Sequence, residues 1–178
     1  VAFYLRHSIN SSTKFDQIEK EMASTFGKAA ADAKIKQIVY LGGIANDSKT
    51  SRHLKSRTDT GIELAKSGVP VLELRAGIII GSGSASFEML RHLTHRLPVM
   101  TTPKWVKNRT QPIAIRDVLY YLSKTIELPR PVSGIYDIGG PEVQTYEKMM
   151  QLFAEIAGLR KRLVIKVPVL TPALSSLW

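Results

Sequence analysis

The sequence has 178 residues, with 25 Lys and Arg against 15 Asp and Glu, so its formal charge at pH 7 is +10. Hydrophobic residues make up 44% and charged residues 22%, which is ordinary globular usage and excludes disordered, collagen-like and mucin-like chains. The absence of cysteine excludes disulfides and thiolate metal sites and favours a reducing compartment such as the cytoplasm. No apolar run approaches the about 20 residues that a membrane-spanning helix needs.

Two kinds of apolar pattern alternate along the chain. Runs rich in β-branched and aromatic residues predict strands, and apolar residues three and four apart predict helices. The predicted strands cover residues 1–9, 37–41, 69–74, 113–115, 135–138 and 163–167. The predicted helices cover residues 15–33, 52–66, a segment after residue 84, 117–127 and 146–156. Residues 98–112 are rich in proline and basic side chains and are predicted to run over the surface.

This alternation predicts the fold class. Several of the strands are apolar on both faces, as strands buried in a parallel sheet are. The sequence therefore predicts an α/β fold with a Rossmann-like, mostly parallel sheet flanked by helices. Such sheets bind ligands beyond the carboxyl ends of their strands, and the glycines at 42, 81 and 139 follow strands there. We expect the functional site along that edge.

The loop Gly81-Ser82-Gly83-Ser84-Ala85-Ser86 follows a strand and precedes a helix. It matches the first two glycines of a G-x-G-x-x-G phosphate loop, but Ser86 replaces the third and no acid lies about 20 residues further on. Three interpretations stay open. The loop binds the pyrophosphate of a dinucleotide, contacts an anion on the substrate side, or is a turn that caps a helix.

Five motifs follow one another along the chain. They are 37–43 (QIVYLGG), 53–57 (HLKSR), 74–77 (LRAG), 111–118 (QPIAIRDV) and 134–140 (GIYDIGG). In this order they resemble the motifs of the short-chain dehydrogenase/reductase superfamily, in its extended and atypical branch of nucleotide-sugar epimerase-like proteins. The resemblance covers residues 1 to about 160.

The resemblance implies an NAD(P)-binding protein related to nucleotide-sugar epimerases and reductases. The opening strand of that family and its dinucleotide loop would precede Val1, so we expect a sheet that is incomplete at the N-terminus. NAD or NADP is then expected in the intact protein and not on these residues alone. Residues 1–130 would form the C-terminal part of the Rossmann-like domain, and residues 131–178 a small substrate-side region and tail.

The resemblance also implies an altered catalytic triad. Gly43 stands where the family has Ser or Thr, His53 where it has Tyr, and Arg57 where it has Lys. Histidine can transfer protons near neutral pH, and Arg57 stays charged and can bind a ribose. The predicted catalytic residues are His53 and Arg57. The predicted cofactor contacts are His7, Ser8, Gly42, Gly43, Arg57, Arg75 and Ala76, and the predicted substrate-side contacts are Gly81, Ser82 and Gly83.

Three functions stay open at this point. The first is an enzyme acting on a small or nucleotide-linked substrate, and the second is a non-catalytic dinucleotide-binding sensor or structural protein. The third is a basic interaction module for nucleic acid or an acidic partner, suggested by the basic clusters at 104–109 and 160–162. Nucleic acid is the least favoured partner because the charge is spread along the sequence. His92 and His95 lack a third ligand in helical register, so no metal site is predicted. An oligomer stays open.

Overall fold

The structure is a computed structural model that describes residues 1–6, 15–45, 52–102 and 104–166. The chain forms two compact units, each built from two segments. Unit 1 consists of residues 1–77 and 117–138, and unit 2 consists of residues 78–116 and 139–178. The domain boundary expected at residue 130 stays a prediction.

Strands and helices alternate along the chain. The strands are β1 (Ala2–Tyr4), β2 (Ile38–Gly43), β3 (Val71–Ala76), β4 (Ile79–Ile80), β5 (Val99–Thr102), β6 (Arg109–Thr110), β7 (Ile113–Ala114), β8 (Gly134–Ile138), β9 (Gln144–Thr145) and β10 (Leu163–Lys166). The α-helices are α1 (Phe15–Asp32), α2 (Arg52–Ala65), α3 (Ala85–Arg96), α4 (Ile115–Lys124) and α5 (Tyr146–Ile156). Two 3-10 helices cover Lys104–Lys107 and Thr125–Glu127.

The sheet of unit 1 is parallel throughout. Its four strands have the order β1-β2-β3-β8, and each neighbouring pair is parallel. The register aligns Tyr4 with Tyr40, Tyr40 with Glu73, and Glu73 with Ile135. Because side chains alternate between the faces of a strand, these four residues share one face. The predicted α/β fold with a Rossmann-like parallel sheet flanked by helices is confirmed.

The core of unit 1 joins this sheet to helices α1 and α2. Its buried members are Tyr4, Ala23, Ala30, Ile38, Tyr40, Leu64 and Val69. The Tyr4 ring packs edge-on against Phe26 at 5.0 Å and against Tyr40 at 5.9 Å between centroids. A Cβ on Gly27 of α1 would lie 3.0 Å from Ser67 Cβ. The helix-breaking tendency of this glycine is therefore offset by close packing.

The bounds of β1, β2 and β3 in unit 1 differ from those predicted, and β8 begins one residue earlier than predicted, at Gly134. β1 ends at Tyr4, so the prediction of strand at residues 5 and 6 is wrong, and residues 7–9 lie outside the described residues. β2 and β3 both run two residues further towards their carboxyl ends than predicted. β3 also begins later, at Val71, because Pro70 has no N–H to donate to a neighbouring strand. Gly42, Gly43, Arg75 and Ala76 consequently lie within the sheet.

Unit 2 contains three two-stranded ladders. β5 pairs with β10 and β4 with β7, both parallel, and β6 pairs with β9 antiparallel. The prediction that residues 98–112 only cross the surface is wrong, because β5 and β6 lie there and Met100 and Val106 are buried. The core that contains Met100 and Val106 also contains Ile78, Leu90, Met149 and Met150. Pro98 and Pro103 favoured a loop prediction, but prolines also occur at the two ends of a short strand, as they do here around β5.

Candidate functional site

The carboxyl ends of β2 and β3 bring four predicted cofactor residues together. Gly42 pairs with Arg75 and Gly43 with Ala76, and the Ile44 N–H donates to the Ala76 carbonyl at 3.1 Å. This edge is where parallel sheets bind ligands. The cofactor role of these residues stays a prediction, but they are adjacent as that role requires.

The side chain of Arg57, on α2, lies against Gly43. A Cβ on Gly43 would lie 2.9 Å from Arg57 Nη1 and 3.1 Å from both Arg57 Cδ and Leu54 Cδ2. Gly43 therefore leaves the space that the guanidinium group occupies. Gly43 is buried beneath this side chain, whereas Arg57 is partly exposed, and a guanidinium group can bind a phosphate or the hydroxyl groups of a ribose. The structure thus brings together two of the three residues at the predicted triad positions.

The remaining predicted residues at this edge are only partly described. His53 lies on α2 one turn before Arg57, but its side chain lies outside the described residues. His7 and Ser8 lie outside them entirely, as do residues 46–51 with their hydroxyl groups. The roles predicted for His53, His7 and Ser8 stay predictions.

Sequence reasoning missed an interior ion pair beneath α2. The Arg75 Nε–H donates to Glu73 Oε1 at 2.7 Å, and Glu73 is only 5% exposed. Two glycines leave room for the carboxylate: a Cβ on Gly42 would lie 2.7 Å from Oε1, and a Cβ on Gly61 of α2 would collide with Oε2. The carboxylate is therefore fixed between a strand and a helix. The local signal was an acid in the segment 71–76 followed two residues later by an arginine, a spacing that puts both side chains on one face of a strand.

Arg75 and Glu73 also line a cleft in unit 1. Its volume is about 440 Å³, and its walls come from one side of α2, the start of β8 and the face of β3 that carries the ion pair. Ile62 of α2 and Ile135 of β8 line the cleft, and both are more than half exposed. The Arg75 guanidinium group therefore lines this cleft as well as pairing with Glu73.

Further polar groups are buried between α1, α2 and the sheet. The Tyr40 hydroxyl donates to the Arg57 carbonyl at 3.0 Å, and the Ser56 hydroxyl donates to Glu19 Oε2 at 3.0 Å. Burial raises the pKa of Tyr40 well above its ordinary value near 10, and the neighbouring Glu73 carboxylate raises it further. Tyr40 thus stays protonated near neutral pH and anchors the start of α2.

The glycine-rich loop of unit 2 forms a turn that caps α3. The Ser84 N–H donates to the Gly81 carbonyl at 3.2 Å, and Ser84 Oγ accepts from the Phe87 N–H at 3.5 Å. Gly83 has a φ of +82°, which glycine adopts without strain. This geometry favours the helix-capping interpretation of the loop. The substrate-side role predicted for Gly81, Ser82 and Gly83 stays a prediction.

The described residues contain neither a cluster of metal ligands nor a membrane-spanning helix. Within the described ranges, no three His, Asp or Glu side chains lie close enough together to hold a metal ion. The His95 ring packs edge-on against Phe153 at 5.4 Å between centroids. Among the described residues, no helix combines the length and apolarity that crossing a bilayer requires.

No protein-family model and no curated protein matches this sequence. Solved structures do match the parallel sheet and its helices, and they place the chain among Rossmann-like α/β folds. More narrowly, its fold is that of NAD-dependent nucleotide-sugar epimerases and related reductases. This likeness confirms the fold that the sequence motifs suggested.

Three of these structures illustrate the likeness. The Bordetella bronchiseptica enzyme WbmG, in complex with NAD and UDP, has a TM-score of 0.72 at 15% identity, over 98% of this chain and 65% of WbmG. UDP-N-acetylglucosamine 4-epimerase from Bacillus cereus has a TM-score of 0.71 at 14% identity, over 93% of this chain and 66% of the epimerase. dTDP-4-dehydrorhamnose reductase from Bacillus anthracis, in complex with NADP, has a TM-score of 0.68 at 12% identity, over 94% of this chain and 66% of the reductase. The chain therefore spans about two thirds of the length of each.

Proposed function

We propose that the intact protein binds NAD or NADP at the carboxyl ends of β2 and β3 and acts on a nucleotide-linked small molecule, as an epimerase- or reductase-like enzyme with an altered triad. The observation that carries the proposal is the meeting of Gly42, Gly43, Ala76 and the Arg57 guanidinium group at one edge of the sheet. Of the three structures of this fold described above, WbmG is in complex with NAD and the reductase with NADP, and the epimerase and the reductase are named for nucleotide-sugar substrates.

The residues at this edge fit a dinucleotide. Gly43 has no Cβ, so the Arg57 side chain packs directly against the end of β2, and this partly exposed side chain supplies a positive charge there. In the proposal, Arg57 holds a ribose or phosphate oxygen, and Gly42, Gly43 and Ala76 form the wall beside it. Bound NAD or NADP would supply hydride transfer. Arg75 stays a predicted contact from the same strand.

Proton transfer in this proposal falls to His53. It lies one helical turn before Arg57, and an imidazole can donate and accept a proton near pH 7. Gly43 offers no hydroxyl group for the reacting oxygen, and loss of one such donor typically costs about 10²–10³ in rate. The proposed enzyme would therefore be slow compared with one that keeps the Ser or Thr.

Titration calorimetry of the full-length protein with NADH and NADPH tests cofactor binding. We expect one of them to bind, and Arg57→Gln to weaken that binding about tenfold because a charged hydrogen-bond donor is lost. Lys55→Gln is the matched control, since Lys55 is exposed on the same helix and should leave the affinity unchanged. If neither dinucleotide binds the intact protein, the proposal fails.

A second candidate is a non-catalytic dinucleotide-binding protein of the same fold. It is favoured by the missing hydroxyl at Gly43 and by Tyr40, whose hydroxyl is committed to the Arg57 carbonyl. A turnover screen with UDP- and dTDP-linked sugars distinguishes the two candidates. Turnover that disappears in His53→Ala supports the enzyme, whereas dinucleotide binding without any turnover supports the second candidate.

A further inference from the structure

The positive charge of the protein is concentrated in unit 2. Unit 2 contains 11 Lys and Arg against 4 Asp and Glu, a net charge of +7, while unit 1 contains 14 against 11, a net charge of +3. Within unit 2, residues 78–116 carry a net charge of +5 and residues 139–178 carry +2. Folding therefore collects most of the excess in one unit.

Part of this charge gathers at the end of α3. The Arg162 Nε–H donates to the Thr94 carbonyl at 2.8 Å, and the Leu163 N–H donates to the Pro98 carbonyl at 3.0 Å. These two bonds place residues 160–162 beside the last turn of α3, which ends at Arg96. We call Arg96, Arg160, Lys161 and Arg162 the basic cluster.

No acidic partner for the basic cluster is found among the described residues of the chain. Among the residues that the structure describes, none of its four cations forms an ion pair with a carboxylate. Glu88, in the first turn of the same helix, is paired with Arg91 at 2.7 Å. The cluster is thus unlike the rest of α3, where the charges are matched.

The helix end accounts for only a small part of this charge. The C-terminus of a helix is equivalent to roughly −0.5 of an elementary charge, and the bond from Arg162 to Thr94 uses it. The helix end therefore offsets only about half a charge of the four cations. Arg162 is buried, at only 8% exposure, whereas the other three residues of the cluster are exposed: Arg96, Arg160 and Lys161.

We propose that the basic cluster is a docking surface for an acidic segment, rich in Asp and Glu, of a partner protein. Two of its three exposed cations, Arg96 and Arg160, are arginines, whose planar forks bind carboxylates in pairs of hydrogen bonds. Binding of single-stranded nucleic acid also uses aromatic rings that stack on bases. Here the neighbouring Phe153 ring is engaged with Phe87 and His95 at 6.1 and 5.4 Å between centroids. The proposal is independent of cofactor binding.

Fluorescence anisotropy with a labelled peptide of eight glutamates and the full chain tests this docking surface. We expect binding at low salt that weakens roughly tenfold between about 20 and 150 mM NaCl, because screening lengths fall over this range. Arg160→Glu combined with Lys161→Glu should weaken binding about tenfold or more through charge repulsion. The control is Lys28→Glu with Lys36→Glu, which changes the net charge equally at two exposed positions of unit 1 and should have under about a third of that effect.

Three results would overturn the proposal. The first is no binding of the glutamate peptide at about 20 mM NaCl. The second is an equal loss in both double variants, which would mean that only net charge matters. The third is tighter binding of an eight-nucleotide oligothymidylate that is lost in the Arg160 and Lys161 variant, which would assign the surface to nucleic acid. Arg160→Gln with Lys161→Gln repeats the measurement if the reversed charges disturb folding.

Discussion

The two units handle their interior charge differently. In unit 1 the buried carboxylate of Glu73 has a cationic partner, Arg75, and lies against the glycines at 42 and 61. In unit 2 the buried Arg162 has backbone bonds but, among the described residues, no carboxylate partner. The charges of unit 1 therefore fix its own strand ends and helix. Those of unit 2 leave positive charge to be matched from outside.

The largest expected effect tests the interior pair of unit 1. Glu73→Ala leaves Arg75 without its partner in a mostly buried position, so we expect the free energy of unfolding to fall by about 3–5 kcal/mol. Urea unfolding followed by circular dichroism measures the loss. Glu127→Ala is the control, because it breaks the exposed pair with Lys124 and should leave stability unchanged. Equal unfolding midpoints for the two variants would remove the contrast between the units.

The space that Gly61 leaves for the Glu73 carboxylate can be tested separately. Gly61→Ala places a methyl group against Glu73 Oε2, so we expect a loss of about 2 kcal/mol even though alanine is the better helix former. In the Glu73→Ala background the same substitution should become neutral or stabilising, because the obstacle is gone. The double-mutant cycle by urea unfolding measures this change of sign. Additive losses would show that Gly61 serves another purpose.

Local sequence patterns were sufficient for the parallel sheet and for one edge of the site. The segments around 38–43 and 71–76 are apolar on both faces, and parallel strands place their carboxyl ends together. Gly42, Gly43 and Ala76 were therefore expected to be neighbours, and they are. Arg57 and Gly43 were named together only through the family resemblance, and the structure places the Arg57 side chain against Gly43.

Features that join distant segments could not be predicted in this way. The Glu73 carboxylate depends on Gly42 and Gly61, which come from a strand and a helix that no periodicity relates to it. β5 was missed because its partner β10 lies about 60 residues further on, while the prolines beside it are local signals of a loop. The basic cluster likewise exists only because α3 and residues 160–162 meet.

The difference between the units can be measured by removing the buried charge of unit 2, Arg162, which should cost less unfolding free energy than removing Glu73 from unit 1. Arg162→Met keeps the length of the side chain and leaves no buried carboxylate without a partner, so we expect a loss of about 1–2 kcal/mol, below that of Glu73→Ala. Urea unfolding under the same conditions compares the two variants. A loss as large as that of Glu73→Ala would mean that Arg162 has a structural role equal to that of the pair in unit 1.

The smallest expected effect concerns the ionisation of the buried Tyr40 hydroxyl in unit 1. Burial raises the pKa of Tyr40 above 10, so above that pH the unfolded chain releases a proton that the folded chain keeps, and stability falls as the pH rises. The contribution is about 1.4 kcal/mol per pH unit for one such group, and Tyr40→Phe should remove it. The pKa of Tyr4 is also raised, mainly by burial, so Tyr4→Phe should flatten the remaining slope further. Urea unfolding between about pH 9 and 11 measures these slopes. Identical slopes for wild type and Tyr40→Phe would mean that water reaches the Tyr40 hydroxyl. The contrast between a closed interior in unit 1 and exposed charge in unit 2 would then not hold at this residue.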